Sequence, residues 1–168
     1  NPGVGYGGSC FPKDVKALIR TANEKGYHAK LLEEVDALNE RQKKMMTAKI
    51  KERFKHDLNG KSFGILGLSF KPKTNDMREA PSITIISELL AHGASLRVYD
   101  PCATEDAKKI FNDKIIYCNS AEEVAHDSSG LILVTEWDEF RSLNFAELGK
   151  TMKERILFDG RNIYEPEL

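Results

Sequence analysis

"SFGILGLSFKPKTNDMRE", residues 62–79, is the stretch that decides the fold. Its opening, SFGILGL (62–68), is a short, nearly unbroken apolar run, the pattern of a strand covered on both faces of a sheet. The remainder is polar, cationic and interrupted by Pro72, so it reads as a loop. Helical spacing then returns from about Pro81 to His92, and Gly93 ends it.

The same alternation continues downstream. SLRVYD (95–100), KIIYC (114–118), GLILVT (130–135) and RILFDG (155–160) read as strands. TEDAKKIF (104–111), SAEEVAHD (120–127) and FAELGKTM (145–152) read as helices between them. In the second of these, Ser120 followed by Glu123 makes a capping box. Strands alternating with helices predict an α/β, Rossmann-like fold: a doubly wound, parallel, five-stranded sheet built from right-handed βαβ units.

Upstream of that unit the chain is helical. Val15, Leu18, Ile19 and Ala22 form one apolar stripe, ended by Gly26. A longer pattern starts near Ala29: Leu31, Val35, Leu38, Gln42 and Met45, then Met46, Ile50 and Phe54, with no Gly or Pro inside it. Such a helix has more apolar face than one small domain covers. It either lies across its own sheet or packs against a partner helix. The boundary falls near Asp57–Lys61, dividing a helical segment (1–57) from the α/β domain (58–168).

Bulk properties narrow the function. The formal net charge is −1, so no global field recruits nucleic acid. No apolar run approaches the ~20 residues that span a bilayer, and no signal peptide is recognisable. Three cysteines, an odd number, do not suggest a disulfide framework and favour a reducing, cytoplasmic setting. No CxxC occurs and the histidines cluster with no cysteine, so no metal site is expected.

Chemistry concentrates in three places. In GVGYGGSCFPKD (3–14), four glycines crowd residues 3–8 and let a ligand approach closely. Pro12 suits a first helical turn, which puts Cys10 at a helix N-terminus. The helix dipole and Lys13 would lower its thiol pKa and make it a nucleophile. Asp14 could position or deprotonate a water. The competing reading is a small buried hydrophobe, which is how Cys102 and Cys118 are read. In the second place, Lys71, Lys73 and Arg78 make the loop after the first strand cationic, suited to phosphate or simply solvated; its GILG is not a GxGxxG. In the third, Arg161 of DGRN follows the last strand at the same sheet edge. Two cations there fit a diphosphate, unless Arg161 pairs with a carboxylate such as Asp159. Trp137 and Phe140 of TEWDEF serve either the core or ligand stacking.

GYGGSCFPKD, GLSFKPKTNDMRE, VYDP, TEWDEF and DGRN, in this order and spacing, resemble the UDP-glucose 6-dehydrogenases of the UDP-glucose/GDP-mannose dehydrogenase family, over nearly the whole chain. The resemblance implies two successive NAD-dependent oxidations of UDP-glucose, with Cys10 capturing the aldehyde-level carbon as a thiohemiacetal that becomes a thioester. Asp14 would assist the hydrolytic water. Gly3, Val4, Gly5, Tyr6, Gly7 and Gly8 would cradle the glucosyl unit. Phe70, Lys71 and Arg161 would bind the UDP portion, and Lys13 and Arg78 would lie toward NAD. The long helix would form a homodimer. The family's N-terminal GxGxxG domain, and its upstream Lys and Asn, lie outside this sequence, so the chain looks like the C-terminal portion and is expected to be inactive alone. Sister enzymes that oxidise GDP-mannose or UDP-N-acetyl-mannosamine are alternatives, with Phe11 leaning toward UDP-glucose. So are a non-catalytic nucleotide-sugar binding or dimerisation module, and a cysteine hydrolase, which lacks a His near Cys10 in sequence.

Overall fold

The computed structural model describes residues 2–165. Five strands, β1 (Ser62–Leu66), β2 (Ser95–Tyr99), β3 (Ile116–Tyr117), β4 (Gly130–Leu133) and β5 (Leu157–Asp159), form one sheet in the order β3-β2-β1-β4-β5. Every pairing is parallel. Leu66 is in register with Tyr99 on one side and Leu133 on the other, so the ends of β1, β2 and β4 come level. The order reverses between β1 and β4, the switch point beyond which open α/β sheets bind ligands.

Helices cover both faces. On one lie α3 (Pro81–Ala91) and α4 (Thr104–Phe111), with Ile85, Ile86, Leu89, Ala107 and Phe111 packed against Phe63, Ile65 and Leu96. On the other lie α5 (Ala121–Ala125) and α6 (Phe145–Thr151), with Val124 and Leu148 against Leu131 and Leu133. The expected capping box is half there. Ser120 Oγ accepts from Glu123 N at 3.3 Å, but Glu123 Oε2 accepts from Asn119 N at 2.8 Å, one residue before the cap. A 3-10 turn, Asp138–Ser142, was not anticipated.

The preceding segment forms α1 (Phe11–Glu24) and α2 (Lys30–Arg53). Gly26, at φ +75°, closes α1 with paired bonds, Tyr27 N to Ala22 O at 2.9 Å and Gly26 N to Asn23 O at 3.0 Å. The stripe read along α2 divides. Met46, Ile50 and Phe54 are buried with the sheet, whereas Leu31, Leu38 and Met45 are 78%, 56% and 47% exposed. The reason is polar: Asn39 and Lys43 turn inward instead, for the contacts described below. Val4, Ile50, Phe54 and Leu58 belong to the same cluster as Phe63 and Ile65, so one continuous core runs through residues 57–58. Among the described residues, no helix is long and apolar enough to cross a membrane.

Candidate active site

Asp100, just past β2 and 2% exposed, organises the carboxyl edge of the sheet. Its Oδ2 accepts from Leu68 N at 2.7 Å, Ser69 N at 3.1 Å and Trp137 Nε1 at 3.1 Å. Its Oδ1 accepts from Cys102 N and Ala103 N, both at 2.8 Å. A buried carboxylate needs such a full set of donors, and these tie the loops after β1, β2 and β4 together. Trp137 and Phe140 are both buried, so they serve the core.

Beyond Ser69 the loop after β1 turns back on itself. Phe70 N donates to Asp76 O at 3.1 Å. Arg78 grips Asp76 with two bonds, Nε to Oδ1 at 2.9 Å and Nη2 to Oδ2 at 2.8 Å. Those bonds hold the Asp76 carboxyl below its ordinary pKa and push the Arg78 guanidinium up. Lys71 is exposed, with Nζ 5.4 Å from the centre of the Phe70 ring.

The glycine loop runs from Arg161 to this ring. A Cβ on Gly3 would lie 2.5 Å from Arg161 Nη1. Gly8 sits at φ +100°, a conformation that side chains disfavour, and a Cβ there would lie 2.9 Å from the Phe70 ring. Gly8 N donates to Arg78 O at 2.8 Å. Helix α2 holds the middle of the loop. Asn39 Oδ1 accepts from Tyr6 N at 2.8 Å, Asn39 Nδ2 donates to Tyr6 O at 3.1 Å, and Gln42 Nε2 donates to Gly3 O at 2.7 Å. Val4 is buried beneath. The Tyr6 phenol is raised by burial and then by the charge of Asp36.

Arg161 is partly buried and engaged with Glu136 rather than Asp159. Its Nη2 donates to Oε1 at 2.7 Å, and its Nε lies 2.6 Å from Oε2. Asp159 instead accepts three backbone N–H groups, from Arg161 at 2.9 Å, Ile163 at 2.8 Å and Tyr164 at 3.0 Å. The pair leaves the guanidinium fixed against the start of the glycine loop.

Cys10 is the residue before α1 and is exposed, which removes the buried-hydrophobe reading. Its carbonyl accepts from Asp14 N at 2.9 Å, and its sulfur lies 3.6 Å from Ser9 Oγ. Lys13 Nζ and the Asp14 carboxylate, both exposed, are 3.9 Å apart. Ser9, Lys13, Lys16 and Arg78 line one open concavity beside the thiol. Of the other cysteines, Cys118 is buried and its thiol is pushed up by that burial, but Cys102 is exposed rather than part of the core. Among the described residues, no group of three or more His, Cys, Asp or Glu side chains is placed to hold a metal.

The loops themselves are compact stretches of sequence, whereas the side chains that hold them are spread along the chain. Asn39, Lys43, Asp100 and Glu136 are buried or half-buried polar residues whose partners lie far away in the chain. A polar position interrupting an apolar helical stripe, as Asn39 and Lys43 do, was the available signal.

These features define a doubly wound α/β domain whose carboxyl-edge loops pack against a glycine loop that leads into an exposed cysteine at a helix start. Residues 64–166 match the UDP-glucose/GDP-mannose dehydrogenase family, UDP binding domain, and residues 1–41 match that family's central domain. The chain is 41% identical to the UDP-glucose 6-dehydrogenase of Pseudomonas aeruginosa over 98% of its own length and 37% of that protein's. It superposes on a UDP-glucose dehydrogenase structure from Pyrobaculum islandicum with a TM-score of 0.88 at 32% identity, covering 98% of this chain and 36% of that one. A GDP-mannose dehydrogenase structure from Pseudomonas aeruginosa gives 0.76 at 29%, covering 97% and 38%. The chain belongs to the UDP-glucose/GDP-mannose dehydrogenase family, and it spans less than two-fifths of the length of these relatives.

Proposed function

We propose that this chain provides the thiol and the UDP-sugar site of an NAD-dependent UDP-glucose 6-dehydrogenase that makes UDP-glucuronate. The observation that carries this reading is the placement of the glycine loop. It joins Arg161 at one end to Phe70 at the other and leads directly into exposed Cys10. Arg161 and Lys71 meet the diphosphate and Phe70 packs beside it, while the side-chain-free loop admits the glucosyl unit to the sulfur.

The sulfur of Cys10 adds to the aldehyde-level C6 while the thiol proton passes to the carbonyl oxygen, giving a thiohemiacetal. Once that carbon is at the thioester level, water adds, the carbon–sulfur bond breaks and the thiolate returns. Asp14 takes the proton from the water. NAD+, when bound, accepts the hydrides that the oxidation releases. Lys13 and Arg78, which line the concavity beside Ser9, suit the negative charge of its phosphates. Asp76 already holds the Arg78 guanidinium in a fixed orientation.

The whole enzyme works as a homodimer through α2, whose exposed Leu31, Leu38 and Met45 recur every seven residues. Three unpaired cysteines fit a reducing, cytoplasmic setting. The 168-residue chain alone is expected to bind UDP-glucose and UDP without reducing NAD+. Calorimetry against UDP-glucose, UDP and GDP-mannose tests the site. Heat with GDP-mannose and none with the uridine ligands transfers the reading to the sister activity. Turnover by the isolated chain would contradict its dependence on the rest of the enzyme.

A further inference from the structure

Glu79 closes the loop after β1, immediately before α3, and its backbone sits at φ +54°, where residues with side chains are uncommon. That shape sends its two polar ends to different places. Its carbonyl lies against the glycine loop, where a Cβ on Gly7 would be only 2.5 Å from it. Its carboxylate reaches two helices: Oε1 accepts from Lys16 Nζ on α1 and Oε2 from Lys43 Nζ on α2, each at 3.2 Å. Lys43 is 3% exposed, and its second partner is Glu40 Oε1 at 2.8 Å. A buried ammonium needs such countercharges. Burial pushes the Glu79 carboxyl up, but the bonds from Lys16 and Lys43 outweigh it and leave the group below its ordinary value. The bond from Glu79 raises Lys16 in turn.

Three segments therefore meet at one carboxylate: the loop after β1 through Glu79 itself, the thiol-bearing helix through Lys16, and the long helix through Lys43. Lys16 is six residues along the same helix that Cys10 begins. Building on the function proposed above, we propose that Glu79 is a positioning residue that sets the thiol of Cys10 against the nucleotide loop by holding α1 through Lys16. It touches neither sugar nor sulfur. It fixes the spacing between the part that grips the diphosphate and the part that carries the nucleophile, a distance that the reaction tolerates poorly when it drifts.

The test uses the 168-residue chain and site-resolved iodoacetamide alkylation. Cys102 is exposed and attached to Asp100, so it serves as the internal reference, and Cys118 reports unfolding. Glu79→Gln keeps the shape and removes the charge. It is expected to change the Cys10:Cys102 rate ratio by about threefold or more, the low end of coupling within one ionic network. Lys16→Met should move the ratio in the same direction, and the double variant no further than either alone. A merely structural contribution would expose Cys118 or give additive effects. If Glu79→Gln does unfold the chain, Lys16→Met, at a half-exposed site, decides the matter. An unchanged ratio in a folded variant overturns the proposal. None of these readings involves nucleotide, so a failure to bind UDP would count against the proposed function and leave this result standing.

Discussion

The side-chain amide of Asn39 clamps the backbone of Tyr6 at both polar atoms, accepting from N at 2.8 Å and donating to O at 3.1 Å. One buried side chain on α2 thereby fixes the loop that precedes Cys10. Tyr6 passes that constraint on through an edge-on contact with Phe11, 4.8 Å between ring centres. Asn39→Asp keeps the volume but replaces the donor with a second acceptor facing Tyr6 O. Leaving that carbonyl unpaired beside a carboxylate is expected to cost about 1–3 kcal/mol, seen as a drop of several degrees in Tm. An unchanged melting curve would show that the loop is held elsewhere.

Arg161 should dominate nucleotide affinity, because its planar fork is already oriented by Glu136. Arg161→Lys removes the fork and is expected to weaken UDP binding about tenfold, equivalent to about 1.4 kcal/mol. Gly3→Ala provides an independent route to the same result, since the added methyl falls on the guanidinium and displaces it. Calorimetry with UDP checks both. Full affinity in Arg161→Lys would remove Arg161 from the site.

Acid should loosen the loop after β1 before it unfolds the sheet. Asp76 is held below its ordinary value by Arg78, and Glu79 is held below its own by Lys16 and Lys43 despite burial. A carboxyl depressed in the fold stabilises above its unfolded pKa, about 4 for these groups. That stabilisation disappears as pH falls through the lower folded value. Urea midpoints measured from about pH 6 down to about pH 3 should therefore fall less steeply in Asp76→Asn/Glu79→Gln than in the parent chain. Parallel acid limbs would show that neither ion pair stabilises the fold.

Much of this architecture was legible because its signals are local. GILGL announces a buried strand within a handful of residues, Gly26 and Gly93 stop helices by adopting positive φ, and TEDAKKIF coincides with α4 from first residue to last. The glycine loop and Cys10 were legible for the same reason, since composition and spacing sit within one short stretch. What the sequence concealed are partners far apart in the chain. Lys43 looks like any solvated lysine until Glu79 arrives from beyond β1 to meet it. Asp159 is the nearby carboxylate that the sequence offers Arg161 as an alternative to a diphosphate, whereas Glu136, from the loop after β4, holds the guanidinium. The apolar stripe of α2 does not mark its whole inward face, because in the turns around Asn39 and Gln42 that face is polar and bonded to backbone.

Two phenols should resist titration together. Burial pushes Tyr99 to about 12, helped by Glu139, and pushes Tyr164 to about 12, helped by the charge of Asp159. Tyr99 packs edge-on against the Phe140 ring, while the Tyr164 hydroxyl donates to Phe140 O, so both hold the 3-10 turn after Trp137. A raised phenol favours the fold below pH ~10 and withdraws that support as pH rises toward about 12. Phenolate absorbance should show these two of the five tyrosines ionising last, coincident with unfolding. Ionisation of all five near pH ~10 would contradict the burial.

The exposed seam of α2 offers the most direct test of assembly. Leu31, Leu38 and Met45 lie seven residues apart on a helix whose opposite side is occupied by Met46, Ile50 and the glycine-loop contacts. Leu18 of α1 is likewise exposed and apolar. A strip of this kind packs against a second helix with the same spacing, and α2 of another copy has it. Sedimentation of the parent chain should show a concentration-dependent dimer. Leu38→Glu places a charge mid-strip, where burial is costly, and should shift that equilibrium toward monomer while leaving Tm of the monomer nearly unchanged. If Leu38→Glu sediments like the parent chain at every concentration, the seam does not join two copies.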